Sequence, residues 1–418
     1  MLAVLTVAVA AALIIQTRDP RQPPTDIRPS RPAQQGIWLD RAEVRRLPMA
    51  GPAWENVRAE ASKPLPPPHV SDATSLHDTS TLAVALVAAR TGDPDYRRKA
   101  AEAIESAIGT EHAPSSAGSR HLPICRNTTS YVIAADLIDL HDYDAERDSD
   151  FKTWIEALRD NSYASEEPAR VIHEERSNNH GTMCGAARAA IARYLGDRTE
   201  LARTAQVLKG WMGDRRSYRF DDYPSGSDTY MADPARPRPV NPPRATKDGH
   251  NVDGLQPAEH ARCGTFRWPP CYTVYPWGGL AGAVVTAEIL RRAGYADVFE
   301  WKNRALLRAY TGLYELSTLE PVWWREATTG DDSWQPWLAN HVYDTDFPAV
   351  TPTNPGRNMG WTDWTHGPGT AAEPEVSGAD PVLRPGAAHG AASLRRSVAA
   401  GQLGGYEQNG EGDRHSGD

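Results

Sequence analysis

Cysteine is scarce in this 418-residue chain, and no zinc motif accompanies it. The four cysteines include no Cys-x-x-Cys pair, and a His-Glu-x-x-His sequence is missing. We therefore expect no bound metal and no cofactor. An even, small number of cysteines in an exported protein favours one or two disulfides. Cys263 and Cys271 are close enough in sequence to pin a loop, which leaves Cys125 and Cys184 as a long-range pair.

The chain also lacks an excess of positive charge. Its 45 Lys and Arg residues against 54 Asp and Glu give a formal net charge of −9. This balance disfavours nucleic-acid binding, because nucleic acids are bound by basic surfaces. Charge is nevertheless local, since 16 Lys and Arg stand against 12 Asp and Glu between Arg170 and Arg267. The composition is therefore compatible with another kind of polyanion as a partner.

Long hydrophobic runs are missing except at the start of the chain. The apolar run from Leu2 to Ile15 is too short for a comfortable membrane span and fits the hydrophobic region of a signal peptide. No Lys or Arg precedes this run, and no clear small-x-small cleavage site follows it. The segment is thus either a signal peptide or an uncleaved membrane anchor. Both readings predict a secreted, periplasmic or cell-surface protein.

Changes in composition divide the chain into four segments. Residues 1–17 form the signal peptide or N-terminal anchor. Residues 18–36 contain five prolines and predict an extended linker. Residues 37–365 carry the folded domain. Residues 366–418 lose almost all aromatic side chains and are rich in Gly, Ala, Arg, Glu and Ser, which predicts a disordered tail.

Helical periodicity dominates the folded segment, and alternating strand patterns are few. Apolar residues recur at steps of three and four residues in seven stretches, as on the buried face of a helix. The predicted helices are Ser80–Ala89, Arg97–Ile108, Ser130–Leu140, Thr182–Leu195, Glu200–Met212, Gly279–Arg292 and Val298–Leu316.

The breaks between these helices resemble one another. Each contains a glycine (Gly92, Gly196 or Gly294) followed closely by an aspartate. Glycine readily adopts the left-handed conformation that ends a helix, and aspartate can cap the next helix. Repeated helical hairpins build either a solenoid or a closed ring. Because their spacing is irregular and long loops are inserted, we predict an all-α fold that forms a toroid and not a regular solenoid.

A run of polar residues from Arg176 to Gly181 precedes the predicted helix Thr182–Leu195. Polar residues at a helix start normally cap the helix, and capping accounts for one asparagine. Capping does not account for an Arg, a Ser, two Asn and a His in succession. The N–H groups and dipole of a helix start attract carboxylates. Asn179 can donate to the same anion, and His180 is a candidate for proton transfer.

A second polar cluster runs from Asp253 to Arg262 and continues to Tyr272 and Tyr275. The planar guanidinium of an arginine matches a carboxylate. A tyrosine hydroxyl beside a cation can give or take a proton. Alternatively, Arg262 pairs only with Glu259 and the tyrosines pack in the core.

Tryptophan is concentrated in the last third of the folded segment. Sugar rings stack on exposed aromatic faces, whereas most tryptophans are core residues. We expect most of these side chains to be buried and one or two to line a cleft. The residues are Trp301, Trp323, Trp324, Trp334, Trp337, Trp361 and Trp364.

Several of these motifs resemble the alginate lyase superfamily. The run Ser177 to Thr182 and the Ala-rich helix after it are similar to that family's Asn-Asn-His-Gly-Thr segment. The run Asp253 to Arg262 is similar to the family's Asp-Gly-x-Gln-Pro-x-Glu-x-x-Arg signature, which leads to a tyrosine that corresponds to Tyr275. The hairpin Leu82 to Ile104 also resembles the family. The resemblance implies an incomplete α/α toroid, in agreement with the repeated hairpins.

The resemblance further implies β-elimination on a 4-linked uronic-acid polymer such as alginate. Asn179 and Arg262 would neutralise the C5 carboxylate, and His180 or Tyr275 would abstract the C5 proton. Tyr275 would then protonate the leaving oxygen, and the scheme needs no metal. The residues expected to bind substrate around this centre are Arg176, Asn178, Gln256, Glu259 and Tyr272.

Two departures from the family pattern and two rival functions stay open. Met183-Cys184-Gly185 replaces the family's aromatic residues, and the loop Cys263 to Cys271 lengthens the step to the tyrosine. The acid could thus be Tyr272, and the polymer could be glucuronan. One rival is an inverting glycoside hydrolase on the same fold, which requires two carboxyl groups across a cleft. The other is a surface protein that binds polyuronate without cleaving it. The hydrolase carboxyls would come from Asp222, Asp253 and Glu259.

Overall fold

The computed structural model describes residues 27–113, 120–161, 167–352 and 356–368. Within these ranges the protein is all-α, with seventeen α-helices, three 3-10 helices and one pair of two-residue strands. The α-helices are α1 (Arg41–Arg46), α2 (Pro52–Ser62), α3 (His77–Thr91), α4 (Pro94–Ala107), α5 (His121–Leu137), α6 (Leu140–Tyr143), α7 (Ala145–Asp160), α8 (Ala169–Glu175), α9 (Asn179–Tyr194), α10 (Arg198–Trp211), α11 (Ser227–Tyr230), α12 (Pro257–His260), α13 (Tyr275–Arg292), α14 (Trp301–Leu319), α15 (Val322–Thr329), α16 (Gln335–Tyr343) and α17 (Thr362–Thr365). The 3-10 helices are Thr110–His112, Ala261–Cys263 and Val298–Glu300, and strands β1 (Thr246–Lys247) and β2 (His250–Asn251) pair antiparallel.

Four buried helices lie side by side in the order α3, α5, α9 and α13. They run parallel, because matching ends are in contact. Cys125 near the start of α5 is bonded to Cys184 near the start of α9. At the other end, Ala89 of α3 and Leu137 of α5 line one cavity. Alanine, glycine and threonine are frequent on these helices, so their backbones approach closely.

The backbones of α9 and α13 approach each other most closely at Gly282. A Cβ at this position would lie 2.3 Å from the carbonyl carbon of Thr182 and 2.4 Å from the backbone nitrogen of Met183. One turn earlier, a Cβ on Gly278 would lie 3.7 Å from the Cβ of Asn179, which is an ordinary contact. Gly282 therefore allows α13 to approach the peptide bond between Thr182 and Met183 of α9.

Replacing Gly282 with alanine is expected to lower the free energy of unfolding by about 3 kcal/mol, the upper end of the usual overpacking cost. The methyl group meets backbone atoms, which cannot rotate away. Gly278→Ala is the matched control, because its methyl group has room and alanine favours a helix by about 1 kcal/mol over glycine. Urea unfolding curves of both variants test this. Equal midpoints would contradict the packing argument.

Outer helices pack against the buried row and form the predicted hairpins. Gly92 has φ 72° and ends α3, and the Asp93 side chain caps α4. Gly196 has φ 70°, and Asp197 accepts from the first turn of α10. Both breaks are confirmed.

The third break departs from the prediction after its glycine. Gly294 adopts φ 103°, as expected, but Asp297 makes no side-chain capping bond. The chain enters the 3-10 helix Val298–Glu300 there, and residues 302–304 are left-handed, which interrupts the first turn of α14. The predicted cap at Asp297 is therefore wrong.

The start of α5 was predicted too late. The helix begins at His121, nine residues before Ser130. Pro123 lies in the first turn, where a missing N–H costs nothing. Thr128 and Thr129 are buried with their hydroxyls bonded to carbonyls one turn back, so buried polar side chains hide the apolar period.

Helix α7 was also missed by the sequence reading. Its apolar side chains Phe151, Trp154, Ile155 and Leu158 are buried but are surrounded in sequence by charged residues. The tryptophan expectation holds in its main part, because six of the seven are buried and Trp337 is half-buried.

The ends of the described chain are packed. Ile27 is buried, and the N–H groups of Ser30 and Arg31 both donate to the carbonyl of Gly294. Residues 27–36 of the predicted linker therefore contact the helical domain. His366 is also buried and packs on Trp38, with ring centroids 5.1 Å apart.

The predicted signal or anchor and most of the predicted tail lie outside the described residues. The four-segment division and the closure into a toroid stay predictions. Across the described ranges, no helix combines the length and the apolar character needed to cross a membrane.

Candidate active site

Three parallel helices begin at the same end of the buried row. Helix α5 begins at His121, α9 at Asn179 and α13 at Tyr275. The first turns of the three helices are in contact. His121 of α5 is hydrogen-bonded to His180 of α9, and Asn179 of α9 packs against Gly278 of α13. Because each helix start carries unpaired N–H groups and a partial positive charge, this end of the row favours an anion.

The run before α9 shapes that helix start. Asn178 is the N-cap, and its Oδ1 accepts from the N–H of His180 at 3.1 Å. Gly181 is required here, because a Cβ would lie 1.8 Å from the carbonyl oxygen of Arg176. The Arg176 side chain itself is 47% exposed, with Nη1 3.9 Å from Oδ2 of Asp222. Capping thus explains Asn178, and Arg176 is accessible at the surface.

Arg262 joins the two polar clusters of the sequence. Its Nε donates to Oε2 of Glu259 at 2.9 Å, and its Nη2 donates to Oδ1 of Asn179 at 3.0 Å. The backbone N–H of Asn179 closes the ring by donating to Oε1 of Glu259. These bonds use two of the five N–H donors of the guanidinium. The alternative in which Arg262 pairs only with Glu259 is therefore incomplete.

Glu259 and Gln256 lie beneath this ring. Glu259 is 1% exposed, and burial raises the pKa of its carboxyl, while Arg262 and the N–H of Asn179 oppose that rise. Gln256 is also buried, and its Nε2 donates to the carbonyl of Pro276 at 2.9 Å. The sequence placed both residues in contact with substrate. That role stays a prediction. In the structure, Glu259 is bonded to Arg262 and Gln256 is bonded to the start of α13.

Tyr275 and Tyr272 occupy different surroundings. The guanidinium carbon of Arg262 lies 4.2 Å from the centroid of the Tyr275 ring, and Tyr275 is 38% exposed. The hydroxyl of Tyr272 instead donates to Oε2 of Glu326 at 3.3 Å. Burial, followed by the nearby Glu326 carboxylate, raises the pKa of Tyr272 to about 12. Of the two tyrosines, Tyr275 is the one in contact with Arg262.

Both expected disulfides are present. Cys263–Cys271 closes the loop between Arg262 and Tyr272, and Cys125–Cys184 joins α5 to α9. The inserted loop that distinguishes this chain is therefore tied at its two ends, close to the residues of the ring.

His180 is directed toward α5. Its Nδ1 lies 2.7 Å from Nε2 of His121, and the ring centroids are 4.9 Å apart. Asn179, Arg262 and Tyr275 thus form one contact chain toward α13, and His180 extends the site on the other side of α9.

His121 was missed because the predicted helix began at Ser130. A signal was present in the sequence, since His121 and His180 each stand four residues before a cysteine of the long-range pair.

One further histidine of the second cluster is structural. His260 is buried and stacks on Trp323, with ring centroids 5.5 Å apart, and burial lowers its pKa to about 4. In the ranges that the structure describes, no group of three or more His, Cys, Asp or Glu side chains is arranged to hold a metal ion.

Comparison with known families gives one match. Residues 79–216 match the family model described as alginate lyase. The family resemblance is thereby confirmed over this segment, which contains Asn179 and His180 and ends before Glu259, Arg262 and Tyr275. At the level of the family, the match supports a lyase that degrades polysaccharide. A search of curated proteins found no match.

Proposed function

From the match of residues 79–216 to the alginate lyase family, we propose that the protein cleaves a 4-linked uronic-acid polymer by β-elimination. The polymer is alginate or a similar polyuronate such as glucuronan. The observation that carries the proposal is the contact chain Asn179–Arg262–Tyr275 at the start of α9. It joins a carboxylate-binding group, a helix start and a phenol in one place.

The first requirement of the reaction is an acidic C5 proton. The Asn179 amide accepts from Arg262 through Oδ1, so its Nδ2 can donate to a bound carboxylate. The remaining N–H groups of Arg262 and the start of α9 add positive potential. Negative charge that develops at C5 is spread onto the clamped carboxylate, and fixed donors stabilise it without reorganising.

The second requirement is a base and an acid. His180 or Tyr275 takes the C5 proton, and the electron pair of that C–H bond forms the C4=C5 double bond. The C4–O bond breaks, and the leaving oxygen takes the phenolic proton of Tyr275. The half-exposed position of Tyr275 on Arg262 supports it as the acid over Tyr272, whose hydroxyl is held by Glu326.

The hydrolase alternative fits the carboxyl groups poorly. Glu259 is buried and paired with Arg262. Asp253 is paired with Arg308 and accepts from the N–H of Arg244 at 2.6 Å. An inverting hydrolase needs a carboxyl acid and a carboxylate base that both reach the sugar.

Export is part of the proposal. Two disulfides close to the site favour folding in an oxidising compartment. We propose that the protein acts as a secreted, periplasmic or cell-surface enzyme on an anionic polysaccharide, with no nucleic-acid partner. The N-terminal segment would serve as the signal peptide or as the anchor.

The test is incubation with a panel of polyuronates while ultraviolet absorbance and chain length are followed. A lyase leaves a conjugated unsaturated uronate that absorbs ultraviolet light, so absorbance rises as the polymer shortens. Shortening without absorbance would identify a hydrolase. Binding with neither change would identify a non-catalytic polyuronate-binding protein, and both of these outcomes would reject the proposal.

A further inference from the structure

The pair formed by His121 and His180 is held by its surroundings. Each histidine lies in the first turn of a long helix, α5 or α9. One turn further along, the same two helices are joined by Cys125–Cys184, with Cα atoms 4.7 Å apart. The covalent bond therefore fixes the spacing at which the two imidazoles face each other. Both rings are half-buried, so the pair is reachable from solvent.

The position of the proton between the two rings affects whether Nε2 of His180 can donate a proton or accept one. A nitrogen–nitrogen hydrogen bond of 2.7 Å needs one donor and one acceptor. If His121 donates, Nδ1 of His180 is the acceptor and its Nε2 carries the proton, so His180 can only donate to substrate. If His180 donates from Nδ1, its Nε2 carries a lone pair and can act as a base. In a histidine, the hydrogen bond of one nitrogen sets the state of the other.

We propose that His121 is a positioning residue that accepts from Nδ1 of His180 and so presents Nε2 of His180 as the base of the elimination. This rests on the proposed function. In the step itself, Nε2 takes the C5 proton as the C4=C5 bond forms and the leaving group departs with the proton of Tyr275. His180 is then an imidazolium, and its Nδ1–H bond to neutral His121 is strengthened because the donor is charged.

The direct test reads the tautomer. In ¹⁵N spectra of histidine-labelled protein, with His180 assigned from the His180→Gln spectrum, we expect His180 to carry its proton on Nδ1. In His121→Phe, which keeps a ring but offers no acceptor, His180 should shift to the Nε2–H form that imidazole prefers in water. A wild-type His180 with its proton on Nε2 would overturn the proposal.

The kinetic test compares two replacements of His121. The amide oxygen of His121→Gln lies near the position of Nε2 and can accept, so this variant should keep its kcat within a few-fold. His121→Phe should lose about 10- to 10²-fold in kcat with little change in KM, which is the usual cost of losing the partner that orients an active imidazole. His141→Gln, in α6 beyond the opposite end of α5, is the matched control.

The outcomes separate this inference from the proposed function. If Gln and Phe at position 121 lower kcat equally, His121 only packs, and the inference is rejected although the enzyme is a lyase. If the wild-type protein forms no unsaturated product, the proposed function fails, while the ¹⁵N spectra still report which nitrogen of His180 is protonated. Thermal unfolding of both variants checks that they fold alike.

Discussion

Under the proposed mechanism, replacing Tyr275 with phenylalanine is expected to lower the rate of polyuronate cleavage by on the order of 10²-fold or more, while polymer binding is retained. The ring still stacks on Arg262, so the carboxylate clamp stays in place. Only the hydroxyl that we propose as the acid for the leaving oxygen is lost. Initial rates from ultraviolet absorbance, together with binding of the polymer by calorimetry, measure the two effects separately.

Tyr272→Phe is the matched control for this experiment. It removes a hydroxyl that is bonded to Glu326 and whose pKa is already raised to about 12. Its rate should fall by less than about tenfold, since it loses no acid–base group in our scheme. If Tyr272→Phe were the inactive variant and Tyr275→Phe the active one, the elimination mechanism would stand and the acid would be Tyr272.

Replacing Arg262 with alanine is expected to affect stability as well as activity. The variant leaves the carboxylate of Glu259 buried without its cation, and breaking a buried pair in this way costs about 3–5 kcal/mol. Both kcat and KM should deteriorate, because in the proposed mechanism Arg262 holds the substrate carboxylate before and during the reaction. Denaturant unfolding and Michaelis kinetics measure the two losses.

The loss of stability in Arg262→Ala should depend on pH. Burial already raises the pKa of Glu259, and the positive charge of Arg262 is the largest effect that lowers it. Removing Arg262 should therefore raise the pKa of Glu259 further. A carboxyl with a raised pKa destabilises the folded state above that pKa, where it is charged, and not below the ordinary value, where it is protonated in both states. The destabilisation should therefore shrink as the pH falls from 7 toward 4. Adding Glu259→Gln should restore most of the stability at pH 7, and no recovery would contradict the ion-pair argument.

Local chemistry made part of this structure predictable. A glycine followed by an aspartate predicts that one helix ends and the next begins within a few residues. Both such breaks are observed, at Gly92–Asp93 and at Gly196–Asp197. The start of α5 was predicted wrongly because two buried threonines interrupt its apolar periodicity. Their hydroxyls donate to backbone carbonyls of the same helix. A pattern of polarity cannot distinguish a buried hydroxyl that is satisfied locally from an exposed one.

The sequence predicted which residues come together at the candidate site better than it predicted which of their side chains are buried. Asn179 and Arg262 were both selected, and they are joined across 83 residues of sequence. Glu259 and Gln256 were predicted to bind substrate, and this stays a prediction, but the sequence did not indicate that both side chains are buried.

The depth of a side chain depends on how closely α9 and α13 pack, and the sequence did not show that Gly282 would lie against Thr182. His121 was missed for a different reason, because the predicted helix began at Ser130 and the spacing of His121 from Cys125 was not used.

The common direction of α5, α9 and α13 has a consequence for how a polymer arrives. Their dipoles add at one end of the buried row, whereas the whole chain carries a formal charge of −9. For the polyuronate that we propose as the substrate, we therefore expect repulsion at long range and attraction over this one area, which would orient the polymer before it touches the protein. Salt screens both the long-range repulsion by the net charge and the short-range attraction at the helix starts. On this proposal, the negative net charge helps to select the end of the helix row at which the polymer binds.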